Sequence, residues 1–253
     1  MVEAPWLYPV LFAAAFVGGL IDSIAGGGGL ITLPISLAVG MPPKVALGTN
    51  KFQASFGSFT ATYYYVRHKV VVLREARIGI VFTLLGAALG AWSVQQIDSS
   101  ILNQMIPFLL LAIIVYTLVT PTFGEADGRA RVATNIFYPV AGVLLGFYDG
   151  FFGPGVGAFW AIAIVFWIGA NLTKATGITK LMNFTSNIIS CVLFLAGGYV
   201  WFAAGLTMAI GQIIGARIGS RMVIKKGTSL IRPLYITIVV ATTCKLLYNA
   251  YLH

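Results

Sequence analysis

The stretch Gly19-Leu20-Ile21-Asp22-Ser23-Ile24-Ala25-Gly26-Gly27-Gly28 returns, altered but recognisable, as Gly146-Phe147-Tyr148-Asp149-Gly150-Phe151-Phe152-Gly153-Pro154-Gly155. Each copy places one carboxylate in an apolar run and then interrupts the run with glycine or proline. Three further matches follow in the same order. Ala46-Leu47-Gly48-Thr49-Asn50-Lys51 is answered by Ala175-Thr176-Gly177-Ile178-Thr179-Lys180, and Gly86-Ala87-Ala88-Leu89-Gly90-Ala91 by Gly211-Gln212-Ile213-Ile214-Gly215-Ala216. Pro107 falls opposite Pro233. Four ordered matches at nearly constant spacing indicate a duplicated chain.

Composition says what kind of fold is duplicated. The 253 residues are 58% apolar and only 9% charged, with a mean hydropathy of +0.91. A soluble domain carries about 25% charged residues to coat its surface. The ten-residue alternation of a membrane β-barrel is missing. The class expected is therefore an all-α polytopic membrane protein. Ten apolar segments are read at 6–24, 27–40, 45–66, 75–96, 100–121, 132–152, 155–169, 174–197, 199–222 and 229–250. The second and seventh fall short of the roughly 20 residues that cross a bilayer, which points to tilted, broken or re-entrant helices. The polar joint 122–131, containing Gly124-Glu125-Ala126-Asp127-Gly128-Arg129, reads as a cytoplasmic linker between a first repeat, 1–121, and a second, 132–253.

The net charge of +9 invites a nucleic-acid reading, which the placement of the charges removes. Arg67, His68, Lys69, Arg74 and Arg77 share one joint; Arg221, Lys225, Lys226 and Arg232 share another. Basic joints mark the cytoplasmic side. The two clusters are offset by one segment between the halves, because the counterpart joints Gly197-Gly198-Tyr199 and Gln95-Gln96-Ile97-Asp98-Ser99-Ser100 have no basic residue. Inverted repeats of five segments each give that offset and put both termini outside. Met1-Val2-Glu3-Ala4-Pro5 lacks the basic region of a cleaved signal, so the first span is expected to be retained.

Inverted repeats with Gly/Pro-interrupted segments at matching positions point to a transporter binding site. A helix that begins inside the membrane offers unsatisfied N–H groups and a partial positive charge, which suit an anion. Gly26, Gly27 and Gly28 in one break, and Gly153, Pro154 and Gly155 in the other, are the candidate anion-facing backbone. Lys51 and Lys180 either snorkel to the interface or attract the anion. Asn50, Gln53, Thr176, Thr179, Asn183 and Asn187 are candidates to line the same cavity, with Asn183 and Asn187 one turn apart on one face. Asp22 and Asp149 either titrate and carry a coupling proton or cap the broken helices from their own first turns. Gly86, Gly90, Gly211, Gly215 and Gly219 read as helix-crossing positions. Cys191 and Cys244 read as small packing residues, His68 as a solvated loop residue, and the tryptophans as interface anchors. No metal-ligand cluster, P-loop, HExxH or GxSxG motif is present, so neither a cofactor nor enzymatic activity is expected.

The paired motifs around Asp22, Lys51, Asp149 and Lys180 resemble those of the sulfite-exporter (TauE/SafE) family, also called the toluene-sulfonate uptake permease family. The resemblance runs along essentially the whole chain. It implies a secondary transporter, multi-pass in the bacterial cytoplasmic membrane, handling sulfite, sulfonates or similar anions. It also implies about eight spans, against the ten of the five-plus-five reading. The function expected is alternating-access transport of a small anion bound between the two breaks, coupled to protons. A passive anion channel or a non-transporting scaffold is the alternative. The partners expected are the anion and the bilayer, and no nucleic acid.

Overall fold

A computed structural model describes residues 5–106, 108–109 and 128–226. Among them run α1 (Leu7–Ala25), α2 (Gly29–Ala38), α3 (Pro43–Arg67), α4 (Leu73–Gln96), α5 (Thr134–Phe151), α6 (Val156–Ala163), α7 (Leu172–Ala196) and α8 (Phe202–Lys226). A π-helical turn, Ile164–Ile168, extends α6, and another helical stretch opens at residue 99. No strand occurs among the described residues. Most of the fifth segment, the tenth segment, the Pro107–Pro233 match, Arg232, Cys244 and most of the 122–131 linker lie outside the described residues.

The duplication is visible in helix lengths. α3 and α7 are both 25 residues long, and Lys51 and Lys180 each stand eight residues after the first. Asp22 and Asp149 each stand fifteen residues after the first residue of α1 and α5. The starts are encoded locally. Pro42 and Pro43 open α3, where a missing N–H costs nothing, and the Asn171 side chain caps α7 by accepting from the Lys174 N–H at 2.9 Å.

Small residues set the crossings. On α8, Gly211, Gly215 and Gly219 lie against Phe12, Phe16 and Leu20 of α1, in that order, so the two helices run parallel. On α4 and α5, Gly86 meets Val143 and Gly90 meets Phe147, again in parallel. A methyl group at Gly90 or Gly215 would overlap the carbonyl oxygen of Phe147 or Phe16. These are the close backbone approaches that small-xxx-small patterns permit.

The repeat-equivalent helices α3 and α7 run in opposite directions. Gly48, near the start of α3, touches Tyr199 beyond the end of α7. Gly177, near the start of α7, touches Val70 and Val71 beyond the end of α3. Halves whose equivalent helices are antiparallel are inverted. Because α8 runs with α1 and α3, its basic end at Arg221 and Lys225 comes to the same face as Arg67, Lys69 and Arg74. Lys174 pairs there with Glu75 at 3.7 Å, and among the described residues of the opposite face Lys44 donates to the Gln95 carbonyl at 2.7 Å. The charge offset read in the sequence is thus one basic face in the fold, the cytoplasmic one by the positive-inside rule.

Packing is inside-out relative to a soluble protein. Leu85, Leu89, Trp92, Leu144, Leu206 and Ile210 are exposed, whereas Thr49, Asn50, Lys51, Gln53, Thr179, Lys180, Asn183 and Ser186 are buried. Four described helices, α1, α4, α7 and α8, are long and apolar enough to cross a bilayer. α2, at ten residues, rises about 15 Å, half the hydrocarbon thickness. Trp160 departs from the anchor reading: it is fully buried, edge-on to Phe137, in a core shared by both halves. Trp6 and Trp92 are exposed, His68 is exposed, and Cys191 is buried as a packing residue.

Candidate functional site

The site forms where the helices stop. α1 ends at Ala25 because Gly26 and Gly27 turn through φ of 79° and 99°, which side chains resist. α5 ends the same way, with Gly153 at φ 100°. The breaks meet at the centre: Gly26 packs against Gly157, and Gly29 against Pro154. α2 then runs from this depth back toward the face where α3 begins, and α6 toward the opposite face, where α7 begins. Lys51 and Lys180 lie about 12 Å along those helices, level with the breaks.

Each lysine is paired with the carboxylate of the other half. Lys51 Nζ lies 2.5 Å from Asp149 Oδ1, with 2% and 3% of the two side chains exposed. Lys180 Nζ lies 3.0 Å from Asp22 Oδ2, with 0% and 25% exposed. The inversion makes this possible: it brings α3 beside the end of α5, and α7 beside the end of α1. Neither lysine snorkels, since each ammonium is held in the interior. Asp149 also accepts from the Ser186 hydroxyl, and Asp22 Oδ1 accepts from the Gly28 N–H at 3.3 Å. The capping expectation is corrected in its placement. Both aspartates occupy the last turns of α1 and α5 rather than a first turn, and Asp22 reaches forward to the residue preceding α2.

Polar groups surround the pairs. Asn50 Oδ1 accepts from Thr32 Oγ1 at 2.6 Å and from Gln53 Nε2 at 2.8 Å. Gln53 Oε1 and Asn183 Oδ1 are buried without a hydrogen-bond partner, a costly state that a ligand or water relieves. Between these groups lies a cavity of about 40 Å³, bordered by both aspartates, Lys51, Asn50, Gln53 and Asn183 among others. That volume holds about three water-sized spheres, or one compact polyatomic ion. The first residues of α2 and α6, Gly29 and Val156, also border it. Two helix N-termini therefore converge on one small polar space, where backbone dipoles favour negative charge.

Residues 11–246 match the family described as sulfite exporter TauE/SafE. The chain belongs to that family. It is 47% identical over 248 residues to the probable membrane transporter protein YfcA of Escherichia coli K12, an alignment covering 98% of this chain and 92% of the relative. It is 46% identical over 243 residues to a probable membrane transporter protein of Haemophilus influenzae, covering 96% and 95%. It is 28% identical over 124 residues to the sulfite exporter TauE/SafE family protein 6 of Arabidopsis thaliana, covering 47% of this chain and 28% of that one. No solved structure matches.

In this TauE/SafE protein the expected site residues divide. Gly28, Asn50, Lys51, Gln53, Gly153, Asn183 and Asn187 border the cavity together with Asp22 and Asp149. Lys180 stands behind Asp22. Gly26, Gly27, Pro154, Gly155, Thr176 and Thr179 do not border it; Gly26 and Pro154 serve the contact between the breaks. Sequence reasoning passed over Gln212, which borders the cavity, Thr32, which holds Asn50, and Ser186, which holds Asp149. A buried polar side chain in an apolar span was the available signal for all three. A second cavity, of about 300 Å³, lies near the basic face between Glu75, Tyr138 and Lys174; Ile178 of the second-half motif borders it, and none of the candidate site residues does. Among the described residues no group of His, Cys, Asp and Glu has the makings of a metal site.

Proposed function

We propose that this protein is a secondary transporter of small anions, sulfite- or sulfonate-like, in the bacterial cytoplasmic membrane, coupled to protons. The observation that carries the reading is the pair of crossed Lys–Asp contacts around a small polar cavity. Four charged groups there sum to zero. A carboxylate and an anion compete for the same ammonium, so an anion binds well only after a carboxylate has taken up a proton. Neutralising Asp22 or Asp149 leaves a lysine uncompensated in an apolar interior, a costly state that the anion cancels. Proton and anion then bind together and leave together. The family name and the relatives described as membrane transporters support transport; the sulfur-containing class follows the family name alone.

Thermal melting of the detergent-purified protein tests this. Sulfite, thiosulfate, methanesulfonate, sulfate and acetate are added singly at several pH values. A bound anion raises the melting temperature by mass action, by about 2.7 kcal/mol of stability at a hundredfold excess over Kd. The shift is expected for a sulfur anion, is larger at mildly acidic than at alkaline pH, and vanishes in Lys51→Ala. No shift with any of these anions at any pH sinks the reading.

A further inference from the structure

The duplication makes the two carboxylates equivalent in sequence position, but their surroundings differ. Asp149 is sealed, with one oxygen on Lys51 Nζ and the other on the Ser186 hydroxyl. Asp22 keeps a quarter of its side chain open, meets Lys180 at 3.0 Å, and has a long contact of 3.3 Å from the Gly28 N–H. The difference is written into the sequence. Ser186 stands six residues after Lys180, and the residue six after Lys51 is Gly57, which has no side chain to offer Asp22. Instead, the Gln212 side chain fills the space against Gly57. An exchange of conformation between the halves therefore does not make the two carboxylates alike.

We propose that Asp22 alone takes the coupling proton, and that Ser186 is a positioning residue that keeps Asp149 ionised as the fixed counter-ion of Lys51. Hydrogen bonds to a carboxylate favour its charged form. A proton arriving at Asp149 must displace both an ammonium contact and a hydroxyl donor from a carboxylate that is 3% exposed. At Asp22 it meets an open carboxyl beside the cavity and displaces one ammonium. The groups facing Asp22 agree with this assignment. α7 presents Lys180, and the break before α2 presents the Gly28 N–H. Tyr65 of α3 donates its hydroxyl to the Ser23 carbonyl at 2.8 Å rather than to the carboxylate. α8 offers glycines and the uncharged Gln212. Among the described residues, the other charged groups bordering the cavity are Lys51 and Asp149, already matched to each other. The inference rests on the transport reading solely in calling the proton a coupling proton.

Carbodiimide labelling of the purified full chain, read residue by residue by mass spectrometry, tests the assignment without any anion. The reagent modifies protonated carboxyls in apolar surroundings. Asp22 is expected to label more than Asp149 by about tenfold or more at mildly acidic pH, and to lose label as the pH rises. Ser186→Ala opens Asp149 to labelling, while Ser186→Thr, which keeps the hydroxyl, restores the wild-type pattern. Equal labelling, labelling of Asp149 first, or no label on Asp22 at any pH overturns the assignment. An unchanged pattern in Ser186→Ala overturns the role of Ser186. Selective labelling of Asp22 in a protein that no anion stabilises would leave the inequality standing and remove the anion reading instead.

Discussion

Lys51→Met is expected to cost about 3–5 kcal/mol of stability, the usual loss when one partner of a buried ion pair is removed. Asp149 has 3% of its side chain exposed, and among the described residues no other cation is in contact with it. Its charge would be left with the Ser186 hydroxyl alone, in an interior that solvates ions poorly. The double variant Lys51→Met/Asp149→Asn is expected to regain most of that loss, because a pair of similar volume without charge removes both the attraction and the desolvation cost. Melting of the two single variants and the double in detergent completes a mutant cycle. A double variant as unstable as Lys51→Met would show that the lysine matters through packing and not through its charge.

Gly90→Leu and Gly215→Leu should abolish folding rather than weaken it. Each glycine lies where a neighbouring backbone passes: Phe147 for Gly90, Phe16 for Gly215. Even a methyl group overlaps a carbonyl oxygen there, and no flexible side chain can move aside. Overpacking in a core ordinarily costs about 1–3 kcal/mol; here two long helices must separate along their crossing, which parts the first repeat from the second. Size-exclusion profiles of fluorescent fusions should show aggregate in place of the folded peak for either variant. Leu89→Ala, on the lipid side of the same helix, should keep the folded peak. A folded Gly215→Leu protein would contradict the close parallel crossing of α1 and α8.

Both predictions draw on features of unequal legibility. The helical membrane class was plain from a chain so poor in charge. The inversion was legible too, because topology is written in where lysine and arginine are tolerated: the offset between the Arg67–Arg77 and Arg221–Lys226 joints became one basic face. The Gly86, Gly90, Gly211, Gly215 and Gly219 patterns read correctly as crossings, since a repeated small residue has few other uses in a span. The crossed pairing was not legible. Lys51 lies 98 residues from Asp149, and Lys180 lies 158 from Asp22. Nothing in either motif says that a lysine answers the aspartate of the other half. Sequence alone therefore gave the lysines free positive charge, whereas the fold gives each a counter-ion. In the proposed mechanism that difference is what ties anion binding to a proton. Ser186 and Gln212 escaped notice because one serine or glutamine in a long helix resembles many polar side chains that bond their own backbone, as Thr185 and Thr207 do. Gly155 and Thr179 looked like cavity residues because each stands in a motif with a residue that borders the cavity or pairs beside it; helical geometry turns neighbours in sequence to different faces.

Uptake of radiolabelled sulfite into proteoliposomes, driven by an imposed pH gradient, decides between coupled and passive movement of the anion. Accumulation is expected on the alkaline side, with collapse when a protonophore dissipates the gradient, and no accumulation is expected from correctly inserted Lys51→Ala or Lys180→Ala protein. Wild-type rates in both lysine variants, or uptake indifferent to the gradient, would contradict coupled movement through this site, and the second result would make the protein a passive pathway for anions.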